Sequence, residues 1–166
     1  MKIKCLILTA LILVISSIGF AQSKSEILTI APDVIVKNLY AAQKAGSNPF
    51  SQTKKRTLVD KYFTKNLADL IWKDIVEADG EVGRLGFDPL YNAQDTKITL
   101  FKIGKPTYGE GNLKVADVLV TFKNMGKAEK ILFRLEQNAG NIWKINDISY
   151  PSNDESNASL KGILSQ

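Results

Sequence analysis

The chain has 166 residues, 45% of them hydrophobic, with 22 Lys and Arg against 17 Asp and Glu and a formal net charge of +5. Its one cysteine is Cys5 and it has no histidine, which excludes disulfides, thiolate nucleophiles, imidazole bases and Cys/His metal sites from everything after that position. Two of the excess lysines are Lys2 and Lys4, so the rest is only mildly basic and offers no charge argument for a nucleic-acid partner.

Lys2 and Lys4 open a stretch that runs uncharged from Cys5 to Ile18, followed by Gly19-Phe20-Ala21 and then polar Gln22-Ser23-Lys24-Ser25. A positive start, an apolar run and small residues flanking Phe20 predict a secretory signal over residues 1–21, cleaved after Ala21. The run is shorter than the roughly 20 apolar residues a membrane span needs, so no membrane anchor is expected after cleavage. Cys5 stands at the start of the run rather than just beyond it, which argues against a lipid anchor. The predicted organisation is a short extension over 22–30, one domain over 31–150 and a tail over 151–166. That length suits a single core, which must hold without disulfides.

The first helix is predicted to start at Pro32, where the missing N–H costs nothing, and to stop at Gly46. It presents Ile35, Val36, Leu39, Tyr40 and Ala42. A second helical region spans about 54–63. A longer helix follows Thr64, read as its N-cap, and ends at Gly80 with Leu67, Leu70, Ile71, Ile75 and Ala78 on one face. Tyr62 and Trp72 read as core or rim packing. Residues 80–95 form an irregular stretch with three glycines and a proline, and a loop of that length usually has a role.

From Thr96 the period becomes two, predicting strands near 97–104, 113–123, 128–137 and 141–149. They are joined by turns at Gly109-Glu110-Gly111-Asn112, Asn124-Met125-Gly126-Lys127 and Asn138-Ala139-Gly140-Asn141. Ile131, Phe133 and Leu135 alternate with Lys130, Leu132, Arg134 and Glu136, giving one wet face and one face toward the helices. Leu160, Ile163 and Leu164 suit a closing helical turn. Helices first and an antiparallel meander second make the fold class α+β.

In the last strand Trp143, Ile145, Asp147 and Ser149 share a face by strict alternation. Asp147 is therefore expected to point inward, where a carboxylate has to be paired, hydrogen-bonded or at a pocket mouth. Asp88, Tyr91, Gln94 and Asp95 form a polar cluster in the long loop, with turn and capping chemistry as the alternative to ligand contact. Tyr62 and Tyr150 complete the candidate ligand-binding set. The acids near 79–88 lack a calcium-loop pattern, and the glycines at 80, 83, 86, 109 and 111 lack the lysine and strand-to-helix context of a phosphate loop. Lys54-Lys55-Arg56 is too short for a nucleic-acid patch, and Asn157-Ala158-Ser159 matches a glycosylation acceptor at a length chance explains. No residue pattern asks for a metal or a cofactor.

The segment Phe87-Asp88-Pro89-Leu90-Tyr91-Asn92-Ala93-Gln94-Asp95 ahead of the strands, the closing Trp143-Lys144-Ile145-Asn146-Asp147-Ile148-Ser149-Tyr150, and Ser159-Leu160 through Leu164 resemble the bacterial family called domain of unknown function 3828. The resemblance spans about residues 31–164. It implies a nuclear transport factor 2-like cone, with N-terminal helices packed on a curved antiparallel sheet of four or more strands, in a small exported protein. It implies no activity and no catalytic residues.

Three functions are compatible with these residues. The first is a non-catalytic periplasmic or secreted binding module for a small ligand, a peptide or an envelope protein. The second is an enzyme in which Asp147 or Asp88 acts as general base beside Tyr62, Tyr91 or Tyr150. The third is an immunity-type inhibitor with a partner-sized patch. A homodimer through the outer face of the sheet is also open.

Overall fold

The computed structural model describes residues 30–51, 55–151 and 158–166. The predicted signal over 1–21, nearly all of the extension and Asn157 lie outside the described residues. Helix α1, Pro32–Lys44, begins with proline at its first turn and buries Val36, Leu39 and Tyr40. Helix α2 is Thr57–Tyr62. Helix α3, Lys65–Ala78, buries Leu67, Ala68 and Ile71 and stops where Asp79 turns left-handed at φ 46°. Thr64 holds the N-cap position of α3, yet its hydroxyl bonds Asn146 Oδ1 at 3.2 Å rather than capping the helix.

Six strands follow: β1 Ile98–Ile103, β2 Thr107–Gly109, β3 Asn112–Asn124, β4 Lys127–Gln137, β5 Trp143–Tyr150 and β6 Ala158–Ser159. The sheet order is β1-β3-β4-β5-β6, antiparallel throughout, and β2 pairs with the start of β3 on the edge that β1 occupies farther along. The single predicted strand over 97–104 is therefore continued by a second piece along the same neighbour. Met125 and Gly126 make the β3–β4 turn with φ of 49° and 85°, the two positive angles that match the twist of a hairpin. Helix α4, Leu160–Leu164, closes the chain where a helical turn is predicted.

The core lies between the helices and one face of the sheet. Ala116, Val118, Val120 and Phe122 of β3 stand beside Ile131, Phe133 and Leu135 of β4, and all are buried. Lys130, Leu132, Arg134 and Glu136 take the other face, as the alternation predicts.

Two β-bulges change what the alternation implies. In β5 the partners run Arg134↔Asp147 and then Leu135↔Ile145, so Asn146 is an extra residue. A single inserted residue exchanges the two faces of everything beyond it. Trp143 and Ile145 are buried before the bulge, and Ile148 and Tyr150 are buried after it. Asp147 thus does not point inward with Trp143 and Ile145. It lies on the outer face, in a row with Arg134 and Asp117.

In β1 the partners run Thr99↔Lys123 and Lys102↔Thr121, so Leu100 and Phe101 together face Phe122. The extra residue returns Phe101 and Ile103 to the side of Ile98. Leu100 takes φ 52° to do so, a left-handed angle that costs an L-residue about 1–2 kcal/mol.

Candidate functional site

The 80–95 loop is tied down along its length by its own polar groups. Asp74 of α3, buried to 5% exposure, accepts from the Arg84 backbone N–H at 2.9 Å and from the Arg84 guanidinium, which also reaches Glu77 at 2.9 Å. Gly83 passes so close that a Cβ there would sit 2.6 Å from the Asp74 carboxylate. Farther on, Leu90 is fully buried, which stabilises the loop's docking by roughly 2 kcal/mol. Tyr40 donates its hydroxyl to the Leu90 carbonyl at 2.7 Å.

Asp88 organises the turn beside it. Its Oδ1 accepts from Leu90 N–H at 2.9 Å, its Oδ2 accepts from Gln43 Nε2, and its backbone bonds Ala93 and Tyr91. Burial raises the Asp88 carboxyl above the ordinary range, and the bonds from Leu90 and Gln43 oppose the rise. Burial, reinforced by neighbouring charge, also raises the Tyr40, Tyr91 and Tyr150 phenols, so all three stay neutral hydrogen-bonding groups at neutral pH.

Of the seven candidate residues, the structure brings Asp88, Tyr91 and Tyr150 together. Gln94 is exposed and bonds the Gly86 carbonyl at 2.9 Å, while Asp95 is exposed and its backbone carbonyl accepts from Asn124 Nδ2. Tyr62 is buried and reaches the Asn38 carbonyl at 3.2 Å, joining α2 to α1. Asp147 accepts from the Lys161 N–H in the first turn of α4 at 3.0 Å and from Ile148 N–H at 2.9 Å, which satisfies a free donor of the helix end. Each Asp88 oxygen accepts one hydrogen bond from within the chain, and Asp147 lies on the outer face of the sheet.

A different arrangement lies next to the loop. Between α1 and β1 runs an open groove of about 520 Å³, lined by Tyr40, Tyr91, Phe101, Ile98 and Ile103 with Lys37 and Lys44 on its helical wall. Tyr40 meets Phe101 edge-on at 4.8 Å and Tyr91 at 5.6 Å, and Phe122 lies behind Tyr91 and Phe101. Phe101 is nevertheless 41% exposed. The strained Leu100 and the bulge deliver this ring to the groove, a known use of bulges. Lys37, Ala41 and Lys44 follow helical spacing and share one side of α1. Neither lysine forms an ion pair among the described residues.

A cleft of about 570 Å³ beside Thr99, Met125 and Gly126 also holds a lysine without an ion pair among the described residues, Lys97, but no aromatic side chain, whereas two further clefts have their charges engaged. In the one of about 350 Å³ beside Thr64, Asp60 pairs with Arg56, Lys65 pairs with Asp69, and Lys144 donates to the Asp60 and Lys61 carbonyls. The cleft of about 290 Å³ along 80–85 contains Asp74, already bonded to Arg84.

No family model and no curated protein matches this chain. Among solved structures, a phospholipid-binding protein from Ralstonia solanacearum, in complex with a phospholipid, is similar over 80% of this chain and 72% of its own. The identity is 18% and the TM-score 0.33. A likeness of that degree carries nothing about what this chain binds.

Several residues of these sites are not among the sequence candidates. Asp74 follows Leu67 and Ile71 at helical spacing on an otherwise apolar face, a signal that an acid is being buried. Lys37 and Lys44 bracket Tyr40 at the same spacing. Phe101 carries no such signal, because strict alternation sends it to the wrong side of β1.

Proposed function

We propose that this protein is an exported, non-catalytic binding module whose site is the groove between α1, β1 and Tyr91, and that its ligand is small. The observation that carries this reading is a concave surface with an aromatic floor left partly open to water, where Phe101 is held by a strained backbone. Grooves of a few hundred Å³, mostly apolar with a few polar groups, are the usual form of a small-ligand site. Export rests on the n-region, apolar run and small residues of positions 1–21. The resemblance of 87–95, 143–150 and 159–164 is what supports the domain of unknown function 3828 family and a nuclear transport factor 2-like cone as part of this reading.

Native mass spectrometry of the protein recovered from envelope extracts tests the reading. A discrete small-molecule adduct is expected, and Phe101→Ala should remove it while leaving the circular dichroism spectrum unchanged. An adduct that survives both Phe101→Ala and Tyr91→Ala, or none in any extract, would overturn the groove as the site.

A further inference from the structure

The groove's chemistry is one-sided, and we infer that its ligand is an anionic single-chain amphiphile of the fatty-acid type, with its chain over Phe101 and Tyr91 and its acid group beside Lys37 and Lys44. This inference rests on the groove being the binding site. The lining holds two lysines and no carboxylate, and among the described residues neither ammonium has an ionic partner. Of the other lysines that line a cleft, Lys65 pairs with Asp69 and Lys144 donates to backbone carbonyls, while Lys97 has no ion pair among the described residues but stands beside no aromatic side chain. The two free ammonium groups lie about 10 Å apart along the helix axis, on the rim of the same wall that carries Tyr40. An anion at the rim is attracted by both, whereas a cation is repelled by both.

The opposite wall supplies Ile98 and Ile103 beside Phe101 of the floor, and none of the three offers a hydrogen-bonding side chain. A ligand whose body needs hydrogen bonds would find no side-chain partner there, only the backbone edge of β1, which disfavours a sugar. The remaining hydrogen-bonding groups on the floor are phenols. Tyr40 is already donating to Leu90, whereas the Tyr91 hydroxyl has no hydrogen bond among the described residues. The groove is open along its length rather than enclosed, which suits one chain laid along it.

Dodecanoate, decanoate and dodecyltrimethylammonium, each below its micellar concentration, are to be titrated into the protein recovered from cells expressing the full chain. Two-dimensional NMR reports the site and calorimetry the affinity. Dodecanoate should perturb Ile98, Phe101, Tyr91, Lys37 and Lys44. It should bind roughly tenfold more tightly than decanoate, from two further methylenes, and roughly tenfold more tightly than the cationic analogue at low salt. Lys37→Glu with Lys44→Glu should reverse the head-group preference, and Lys37→Gln with Lys44→Gln should abolish it. Both changes are on exposed helix positions, and an unchanged amide spectrum checks the fold.

Equal binding of both head groups in the groove overturns the anionic class and leaves the groove intact as a site. Perturbation of the groove by none of the three probes overturns the inference and the binding reading together. Binding to anionic phospholipid vesicles without any response to dodecanoate also overturns it, in favour of a membrane surface.

Discussion

The 80–95 loop and the α1–β1 groove adjoin each other through Tyr40 and Tyr91, but they use their side chains in opposite ways. In the loop, Asp74, Asp88, Gln94 and the Leu90 carbonyl all bond within the chain, and the loop's one large aliphatic anchor is fully buried. In the groove, Phe101 remains partly exposed and Lys37 and Lys44 are unpaired among the described residues. A concentration of polar residues marks the loop in the sequence, yet those groups satisfy one another. The side chains without partners among the described residues line the groove instead.

Replacing the loop's anchor should break this contrast most severely. Leu90→Ala removes a fully buried side chain and is expected to cost about 2–5 kcal/mol, measured by urea unfolding, with early loss of amide protection across the loop. A cost under about 0.5 kcal/mol, the range of surface changes, would show that the loop is not docked.

The two buried phenols sharpen the comparison at a smaller scale. Tyr40→Phe deletes a hydroxyl that bonds Leu90 and should destabilise by about 1 kcal/mol. Tyr150→Phe deletes a hydroxyl that finds no partner among the described residues, and should leave stability unchanged or raise it by up to about 1 kcal/mol. Equal losses for the two would mean that Tyr150 has a bond equivalent to that of Tyr40.

Asp88 gives the contrast a pH dependence. Burial raises its folded-state pKa above the unfolded value, so its contribution to stability is fully present below the unfolded value of about 4 and is lost as pH rises through the folded value. Asp88→Asn retains an acceptor for Leu90 N–H and a partner for the Gln43 amide without a charge. Relative to the wild type, the variant should therefore gain stability as pH rises from about 4 toward neutrality. Thermal melts across that window that run parallel for the two proteins would refute the assignment.

The smallest effect is expected at the groove rim. Lys37→Gln and Lys44→Gln remove charges that pair with nothing described, so stability should stay within about 0.5 kcal/mol of wild type.

Local chemistry was legible from the start. Pro32 begins α1, Met125-Gly126 turns β3 into β4, and Ile131, Phe133 and Leu135 face the core, because a proline, a pair of positive φ angles and a period of two act over a few neighbouring residues. Asp147 was misplaced and Phe101 overlooked for a single reason. Each follows a one-residue bulge that exchanges the faces of a strand, and bulges are set by the strand alongside rather than by the residues around them.

The amino-acid order alone thus determined the class: helices first, strands second, cysteine and histidine chemistry absent beyond Cys5. Tertiary structure alone decided which carboxylates were neutralised by backbone and which ammonium groups were left facing an apolar groove. Asp74 and Arg84 are ten residues apart, but Gln43 and Asp88 are separated by forty-five. Satisfaction of a charge depends on distant partners that only the packed chain brings within a hydrogen bond.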